Sequence, residues 1–435
     1  MPTSIKRTLL TLCLALGCSF PLFAQDILSG QLIDSVSQAP LAYVRLSWTQ
    51  AQRGTLTNTE GRFQLRLPAD PGDTLEIYSL GYRPLRIPRR DIEALTLNLA
   101  LAPQDFTLEA VTILGITPEE LLRRAIERVP ENHPVEDSRW EAFYRCTQET
   151  EYERLRVEGK DVSHRPAYRL EEALVEVHVP AFTDHKDPQV KLLKTRSHYT
   201  DPIEEAWTNE TTAGILAAGI ANSIEGGITG KLPQALDYDP LDKLREKLKN
   251  RWKLRRGYDV SLKGVMPYRG RVAYWLTLEQ RTENRNTNYD YSIYLDTATL
   301  AFMTIKIQMD PDTRSYAPVN NFLYLQHKFW DQSFRVDYQQ QAERWELAHI
   351  SIDVLIADEV EDGAMFQDFQ IRAWSRYHFD LVYLDRLQQP APRMSRDERF
   401  LLREHFSEES GPYDPDFWEG EAVLPLEARL AEQMR

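Results

Sequence analysis

Cysteine is nearly missing from this chain of 435 residues: there are 3, at Cys13, Cys18 and Cys146. The first two fall in an N-terminal segment with the form of a cleaved leader, so one thiol remains and an intramolecular disulfide is excluded. Within the strand-like run Phe143-Tyr144-Arg145-Cys146, that thiol reads as a small buried hydrophobe rather than a nucleophile. Beyond the leader no apolar run approaches the roughly 20 residues that cross a bilayer as a helix, so no transmembrane span is expected. Positive charge is also scarce. Against 52 lysines and arginines stand 66 aspartates and glutamates, a net charge of -14, which argues against nucleic acid as a partner.

Catalytic signatures are missing too. The 9 histidines, at 133, 164, 178, 185, 198, 327, 349, 378 and 405, include no pair at the helical spacing of a zinc protease and have no cysteine partners. No Gly-x-Ser-x-Gly elbow occurs. The segment Gly226-Gly227-Ile228-Thr229-Gly230-Lys231 fails as a phosphate loop, because Glu225 stands where the first glycine belongs and Leu232 where a magnesium-binding hydroxyl belongs. It reads as a loop. Asp358, Glu359, Glu361 and Asp362 before Gly363 could gather around calcium, but their spacing is not that of an EF-hand. A solvated hairpin tip, between strands ending at Ile356 and starting at Phe366, explains the same residues. Asp414 and Asp416 invite a paired-carboxylate reading; the flanking Pro415, Phe417 and Trp418 favour an ordered turn that docks the tail. No catalytic, cofactor-binding or metal-ligating residue is nominated, and no cofactor is expected.

What is present begins with an address. Lys6 and Arg7, an apolar run from Leu9 to Leu16, and Leu22-Phe23-Ala24 before Gln25 have the form of a secretory signal peptide over 1–24. Export to the periplasm or the outer membrane follows, with a mature start at Gln25. Cys18 after Leu14-Ala15-Leu16-Gly17 offers lipidation as the alternative, although Ser19-Phe20-Pro21-Leu22-Phe23 would be an apolar mature start. The remainder, 42% hydrophobic and 27% charged over the whole chain, is ordinary globular protein, long enough for more than one core.

From Leu28 to Leu101 the hydrophobic period is two. Val44, Leu46 and Trp48 alternate with Tyr43, Arg45 and Ser47, and Phe63, Leu65 and Leu67 with Arg62, Gln64 and Arg66. Each strand should have one dry and one wet face. Leu75 and Ile77, Leu85 and Ile87, then Leu95, Leu97, Leu99 and Leu101 continue at the spacing of a small sandwich. Asn58-Thr59-Glu60-Gly61 supplies a glycine where a tight turn needs positive φ, and Pro68 to Gly72 breaks the chain. The order Leu28-Ser29-Gly30-Gln31-Leu32-Ile33-Asp34, Ala39-Pro40-Leu41-Ala42-Tyr43-Val44, Gly54 to Phe63, and Leu80-Gly81-Tyr82 resembles the carboxypeptidase regulatory-like domain common in Bacteroidetes envelope proteins. The resemblance covers residues 26–115 and implies a transthyretin-like Greek-key β-sandwich with no activity of its own. Leu108 to Ile113 resembles the strand that closes this module before the barrel of TonB-dependent receptors, but too little chain follows for such a barrel.

Next comes a linker helix within 116–135. Thr117 and Glu120 form a capping box, Pro118 takes the first helical position, and Leu121, Leu122, Ala125, Ile126 and Val129 make an apolar stripe ending at Pro130. Over 136–385 strand patterns dominate, with helical or loop segments near 212–225, 238–251 and, beyond it, 395–406. Ala173, Val175, Val177 and Val179 alternate with Leu174, Glu176 and His178, and Val272, Tyr274, Leu276 and Leu278 keep the same period. Tyr289–Leu295 and Met303–Met309 form a hairpin; Phe334–Tyr338 pairs with Trp345–Ile356 around Gln339–Glu343, with a bulge near His349. The fold class is mainly β: a sandwich plus a larger curved antiparallel sheet with a few helices, closed by a tail over 386–435. The hairpin around Tyr294-Leu295-Asp296 and the strand at Trp345-Glu346-Leu347 resemble the lipoprotein-carrier half-barrels of bacterial envelopes. The segments Thr117–Leu122, Glu172–Val177 and Tyr413–Trp418 resemble full-length Bacteroidetes proteins carrying the module before an uncharacterised β-rich domain.

The leading reading is an exported, non-enzymatic envelope accessory or binding protein whose partner is an envelope protein, a lipid or a glycan. The alternatives are a lipid or lipoprotein carrier using a concave sheet, an envelope hydrolase with an unrecognised site, and a carbohydrate-binding protein. An open apolar groove would mark the carrier, and carboxylates and histidines clustered in a cleft the enzyme.

Overall fold

The computed structural model describes residues 26–51, 53–79, 81–104, 115–157, 160–181, 186–200, 257–268, 271–281, 289–316, 319–322, 325–360, 369–387, 391–400 and 424–433, with positions 202, 241, 244, 410 and 418. The leader expected over 1–24, the strand expected at 108–113, the helical or loop segment expected at 212–225, the loop expected at 226–231 and the turn expected at 413–417 lie outside the described residues.

Seven short strands follow from the period-two pattern: β1 (Ile27–Asp34), β2 (Arg45–Trp48), β3 (Gly54–Leu56), β4 (Arg62–Arg66), β5 (Thr74–Tyr78), β6 (Leu85–Pro88) and β7 (Thr96–Leu101). They make two sheets, β4-β1-β7 and β3-β2-β5-β6, closed over Leu28, Leu32, Val44, Leu46, Trp48, Phe63, Leu65, Leu75 and Ile77. β1 pairs antiparallel with β4 and parallel with β7. Leu95, expected in the dry row, precedes β7 and is exposed. The wet face needs correction as well: Arg45, on the outer side of β2, is buried, because a second sheet covers it. At the β-turn Gly61 has φ +73; its N–H donates to the Asn58 carbonyl at 2.9 Å, while Asn58 Oδ1 accepts from the N–H groups of Glu60 and Arg62 at 3.0 and 2.9 Å.

Helix α1 (Pro118–Glu127) starts as its cap predicts, with Thr117 Oγ1 accepting from Glu120 N–H at 3.2 Å. The Glu120 carboxylate turns instead to Arg123 and Arg124, so half of the capping box forms. The apolar stripe ends with Val129, but the helical backbone runs on past Pro130. A second short helix, α2 (Val129–Asn132), contains that proline, which a first helical turn tolerates because its N–H would be unused.

Twelve further strands form one sheet: β8 (Ser138–Val157), β9 (Lys160–Asp161), β10 (Pro166–Val179), β11 (Gln189–Thr200), β12 (Tyr258–Tyr268), β13 (Arg271–Gln280), β14 (Tyr289–Asp296), β15 (Phe302–Met309), β16 (Val319–Phe322), β17 (Leu325–Gln341), β18 (Arg344–Val360) and β19 (Phe369–Arg386). The path runs β11-β10-β8-β19-β18-β17-β15-β14-β13-β12, with β16 beside β17 and β9 beside β8. The β14–β15 hairpin is as expected. The β17–β18 hairpin is tighter: Gln341 pairs with Arg344, leaving a two-residue loop with Ala342 at φ +52, the conformation such loops require. The bulge near His349 is present, with Ala348 the unpaired residue between the pairs Asp337–His349 and Tyr338–Leu347. Such bulges bend long strands and add twist. Asp358 and Glu359 are not at a tip, because β18 runs on to Val360 and buries Asp358. Glu361 and Asp362 are outside the described residues. Val272 is 46% exposed, since it opens β13 at the edge hairpin with β12.

One face of this sheet is apolar. Trp140, Tyr144, Val175, Leu276, Ile293, Ile305, Ile350, Ile352 and Phe379 pack there with Leu121, Leu122 and Ala125 of α1 and with Leu241 and Leu244. The opposite face is polar, and the sandwich and the C-terminal tail cover it. Among the described residues no helix is long and apolar enough to cross a membrane. Replacing Gly61 by alanine would set a Cβ 2.4 Å from the Leu32 carbonyl oxygen at positive φ. Urea denaturation of Gly61→Ala should show a loss of about 1–3 kcal/mol; an unchanged midpoint would contradict this account of the turn.

Candidate functional site

Cross-strand neighbours on the polar face alternate in charge. Arg196 lies opposite Glu172, Glu172 opposite Arg145, and Arg145 opposite Asp380; His349 lies opposite Asp337, and Asp337 opposite Thr304. Directly opposed side chains on one face are close enough to pair. Arg145 Nε donates to Glu172 Oε1 at 2.7 Å and Arg196 Nε to Glu172 Oε2 at 2.5 Å. Burial alone would raise the Glu172 pKa; Arg145 and Arg196 outweigh it and hold the carboxyl below its usual range. Asp337 accepts from Arg335 Nε at 2.7 Å and from Thr304 Oγ1 at 2.6 Å.

Asp380 bridges two imidazoles. Its Oδ1 lies 2.8 Å from His349 Nε2 and its Oδ2 2.7 Å from His378 Nε2. His378 Nδ1 lies 2.8 Å from Asp353 Oδ1, and His349 Nδ1 lies 3.4 Å from Asp337 Oδ2. Burial opposes ionisation of both partners, yet Asp380 and Asp353 hold the His378 pKa well above its ordinary value, and His378 and His349 hold that of Asp380 far down. His378 is therefore an imidazolium between carboxylates. All four ring nitrogens of the two histidines face carboxylates, so neither ring has a nitrogen left for acid–base work on a substrate. The cluster is chemically a clamp.

The sandwich is held by this clamp. Tyr43 Oη sits 3.0 Å from His378 Nε2, with ring centroids 5.4 Å apart. Tyr43 has φ +57, a costly conformation for an aromatic residue, and its N–H donates to the Thr57 carbonyl at 2.9 Å. Arg53 pairs with Asp385 at 2.5 Å, and Arg45 donates to the Gln339 side-chain carbonyl. The tail is bound to the same face. Arg145 donates to the Leu424 and Pro425 carbonyls at 2.5 and 3.0 Å, and Trp418 Nε1 to Glu172 Oε2 at 2.9 Å. Trp418, Leu424, Phe143, Val382 and Leu56 form a small apolar cluster around that contact, as the docking role expected of Trp418 requires.

Beside the clamp lies a cavity of about 10 Å³ touching Tyr43, Arg45, Tyr78, Tyr268 and His349, room for roughly one water. A cleft of about 400 Å³ opens next to it and shares Arg45 and Tyr78. One wall comes from the sandwich, through Ser47, Trp48, Thr49, Glu76 and Arg86; the other comes from the large sheet, through Arg271, Gln339, Gln340, Gln341 and Trp345.

Of the residues singled out in the sequence, Cys146 is buried, and burial pushes its thiol pKa up. His133 and His178 are buried apart from the clamp, His178 beside Asp137 at 3.2 Å; burial lowers the His133 pKa to about 4. Among the described residues no group of His, Cys, Asp and Glu could hold a metal ion. Sequence reasoning missed the clamp. Its signal was His349-x-Ser351-x-Asp353 and His378-x-Asp380, polar residues at period two on strands whose other parity is apolar.

Residues 28–113 match the family model of the CarboxypepD_reg-like domain, so the sandwich is a carboxypeptidase regulatory-like module. No curated protein matches the chain. Three solved structures are similar to parts of it. A domain described as outer-membrane lipoprotein-sorting, from Vibrio parahaemolyticus, has 9% identity, 63% coverage of this chain, 93% of its own and a TM-score of 0.21. A DUF1329 family protein from Desulfovibrio piger has 12% identity, 61% and 91% coverage and a TM-score of 0.19. The Pseudomonas aeruginosa MucA/MucB complex has 10% identity, 60% and 93% coverage and a TM-score of 0.20. Likeness at this level transfers no role to the present chain.

His378→Gln keeps the side chain's bulk and removes its charge. Below about pH 6.5, where the wild-type imidazole is protonated both folded and unfolded, the variant should be less stable by about 3–5 kcal/mol. The difference should shrink as pH rises through the raised folded-state pKa, because the wild type then loses the same charge. Using the difference separates His378 from Lys306, whose pKa burial and Arg335 lower to about 8. Denaturant titrations across pH measure it; a difference that stays constant into strong alkali would contradict the charged clamp.

Proposed function

We propose that the protein is an exported, non-enzymatic binding protein of the cell envelope whose ligand occupies the cleft between the regulatory-like module and the large sheet. The observation that carries this reading is that the cleft has one wall from each, at the place where Arg45 crosses to Gln339. A volume of about 400 Å³ lies within the range of small-molecule sites, and such sites favour the meeting of two domains. The module thereby contributes directly to a binding site. Export rests on the signal-like residues 1–24, with Gln25 as mature N-terminus and the periplasm or outer membrane as destination.

The carrier alternative needs an open apolar groove, whereas the described residues of the apolar face pack against α1 and Leu241. The hydrolase alternative needs an available base, and the clustered histidines are already engaged. Ser47 stands on the cleft wall outside the sandwich core, so Ser47→Trp should fill the cleft while the fold persists. Native mass spectrometry of protein isolated from its own host's envelope should find a bound small molecule on the wild type and none on Ser47→Trp, with a polypeptide mass starting at Gln25. A wild-type chain free of adduct, or an adduct equally present on the variant, would overturn the reading.

A further inference from the structure

Within a chain of net charge -14, the cleft between the two domains is lined by three arginines, Arg45, Arg86 and Arg271, and one acid, Glu76. Local charge in the cleft is therefore opposite in sign to that of the protein. Glu76 is already paired with Arg86 at 2.6 Å. Arg271 donates through Nη2 to Asp296 at 2.7 Å and through Nη1 to Gln340 Oε1 at 3.1 Å, and its guanidinium sits 6.0 Å from the Trp345 ring centre. These contacts hold the arginine in place and still leave its Nε a buried donor with no acceptor. Gln339 is similar: its carbonyl accepts from Arg45, and its amide nitrogen is buried without an acceptor. Buried donors of this kind are costly unless something accepts from them.

We propose, resting on the binding role assigned to this cleft, that the ligand is a sugar acid of the hexuronate kind. Guanidinium groups held in fixed orientation suit a planar carboxylate, which takes two parallel N–H bonds. The glutamine amides, with Ser47 and Thr49, offer the mixed donors and acceptors that a ring of hydroxyls needs. Tyr78 supplies an aromatic surface at the junction with the buried clamp. A simple carboxylate lacks the hydroxyls that the amides and Ser47 can meet; a neutral sugar leaves the excess positive charge of the cleft unmatched.

Calorimetric titration of the mature full-length chain with glucuronate and digalacturonate tests this, beside glucose, glutarate and glucose 6-phosphate. Binding of the two uronates, with glucose and glutarate at least about tenfold weaker, is the expected result, since one charge-assisted hydrogen bond is worth about a factor of ten or more. Arg271→Gln should weaken uronate binding about tenfold. Gln340→Ala, at an exposed position, should weaken it less and guards against misreading a folding defect. Glutarate binding as tightly as glucuronate, glucose 6-phosphate binding more tightly, or uronate binding indifferent to both variants would overturn the sugar-acid assignment. Silence from every probe would also overturn it, while the Ser47→Trp comparison on host-derived protein would still decide whether the cleft binds anything.

Discussion

A row of alternating charges laid across the strands of the large sheet is the constraint on which the assembly depends. From Arg196 through Glu172 and Arg145 to Asp380, and on through His349 to Asp337 and Thr304, each buried polar group takes its partner from a neighbouring strand. A sheet with such a face cannot leave it half covered. Full exposure would cost little, but partial cover would strip water from charges without completing their pairs. The sandwich and the C-terminal tail complete the cover, and each adds polar groups to the row: Tyr43 beside His378 Nε2, which it shares with Asp380, the Leu424 and Pro425 carbonyls at Arg145, and the Trp418 indole at Glu172.

This division of labour accounts for the two faces. The apolar face contributes most of the hydrophobic stabilisation, through a continuous layer from Trp140 to Ile305. The polar face contributes specificity of docking, because a shifted sandwich would separate Tyr43 from His378, Arg45 from Gln339 and Arg53 from Asp385. Tyr43 illustrates the cost accepted for that specificity, since its left-handed backbone is tolerated where its hydroxyl meets His378. With the sandwich so placed, its outer strand face and the β17–β18 hairpin enclose the cleft.

Much of the fold was legible in the sequence. Period-two patterns found the sandwich, the β14–β15 hairpin and the bulge beside His349 because one apolar parity has to face a core. The same logic could not find the site. Arg45, Asp337, Asp353, His378 and Asp380 stand at the polar parity of their strands, and polar parity reads as a solvated face whether water or another domain lies over it. Asp358 misled for the same reason: an acid near an expected turn looked exposed, whereas its strand continues and buries it. Pairing partners hundreds of residues apart, such as Tyr43 with His378, leave no local signature. The cleft was equally hidden, since its walls come from segments that meet only after both sheets have formed.

Differential scanning calorimetry of the chain from Gln25 onward and of its Asp380→Asn variant at mildly acidic pH tests the central claim most directly. A sandwich clamped through a buried charged network should unfold together with the large sheet in one cooperative transition, and loss of the Asp380 charge should separate this into two, the first belonging to the module. Two independent transitions already present in the wild type, with neither moved by Asp380→Asn, would contradict the claim that the buried row of charges joins the domains.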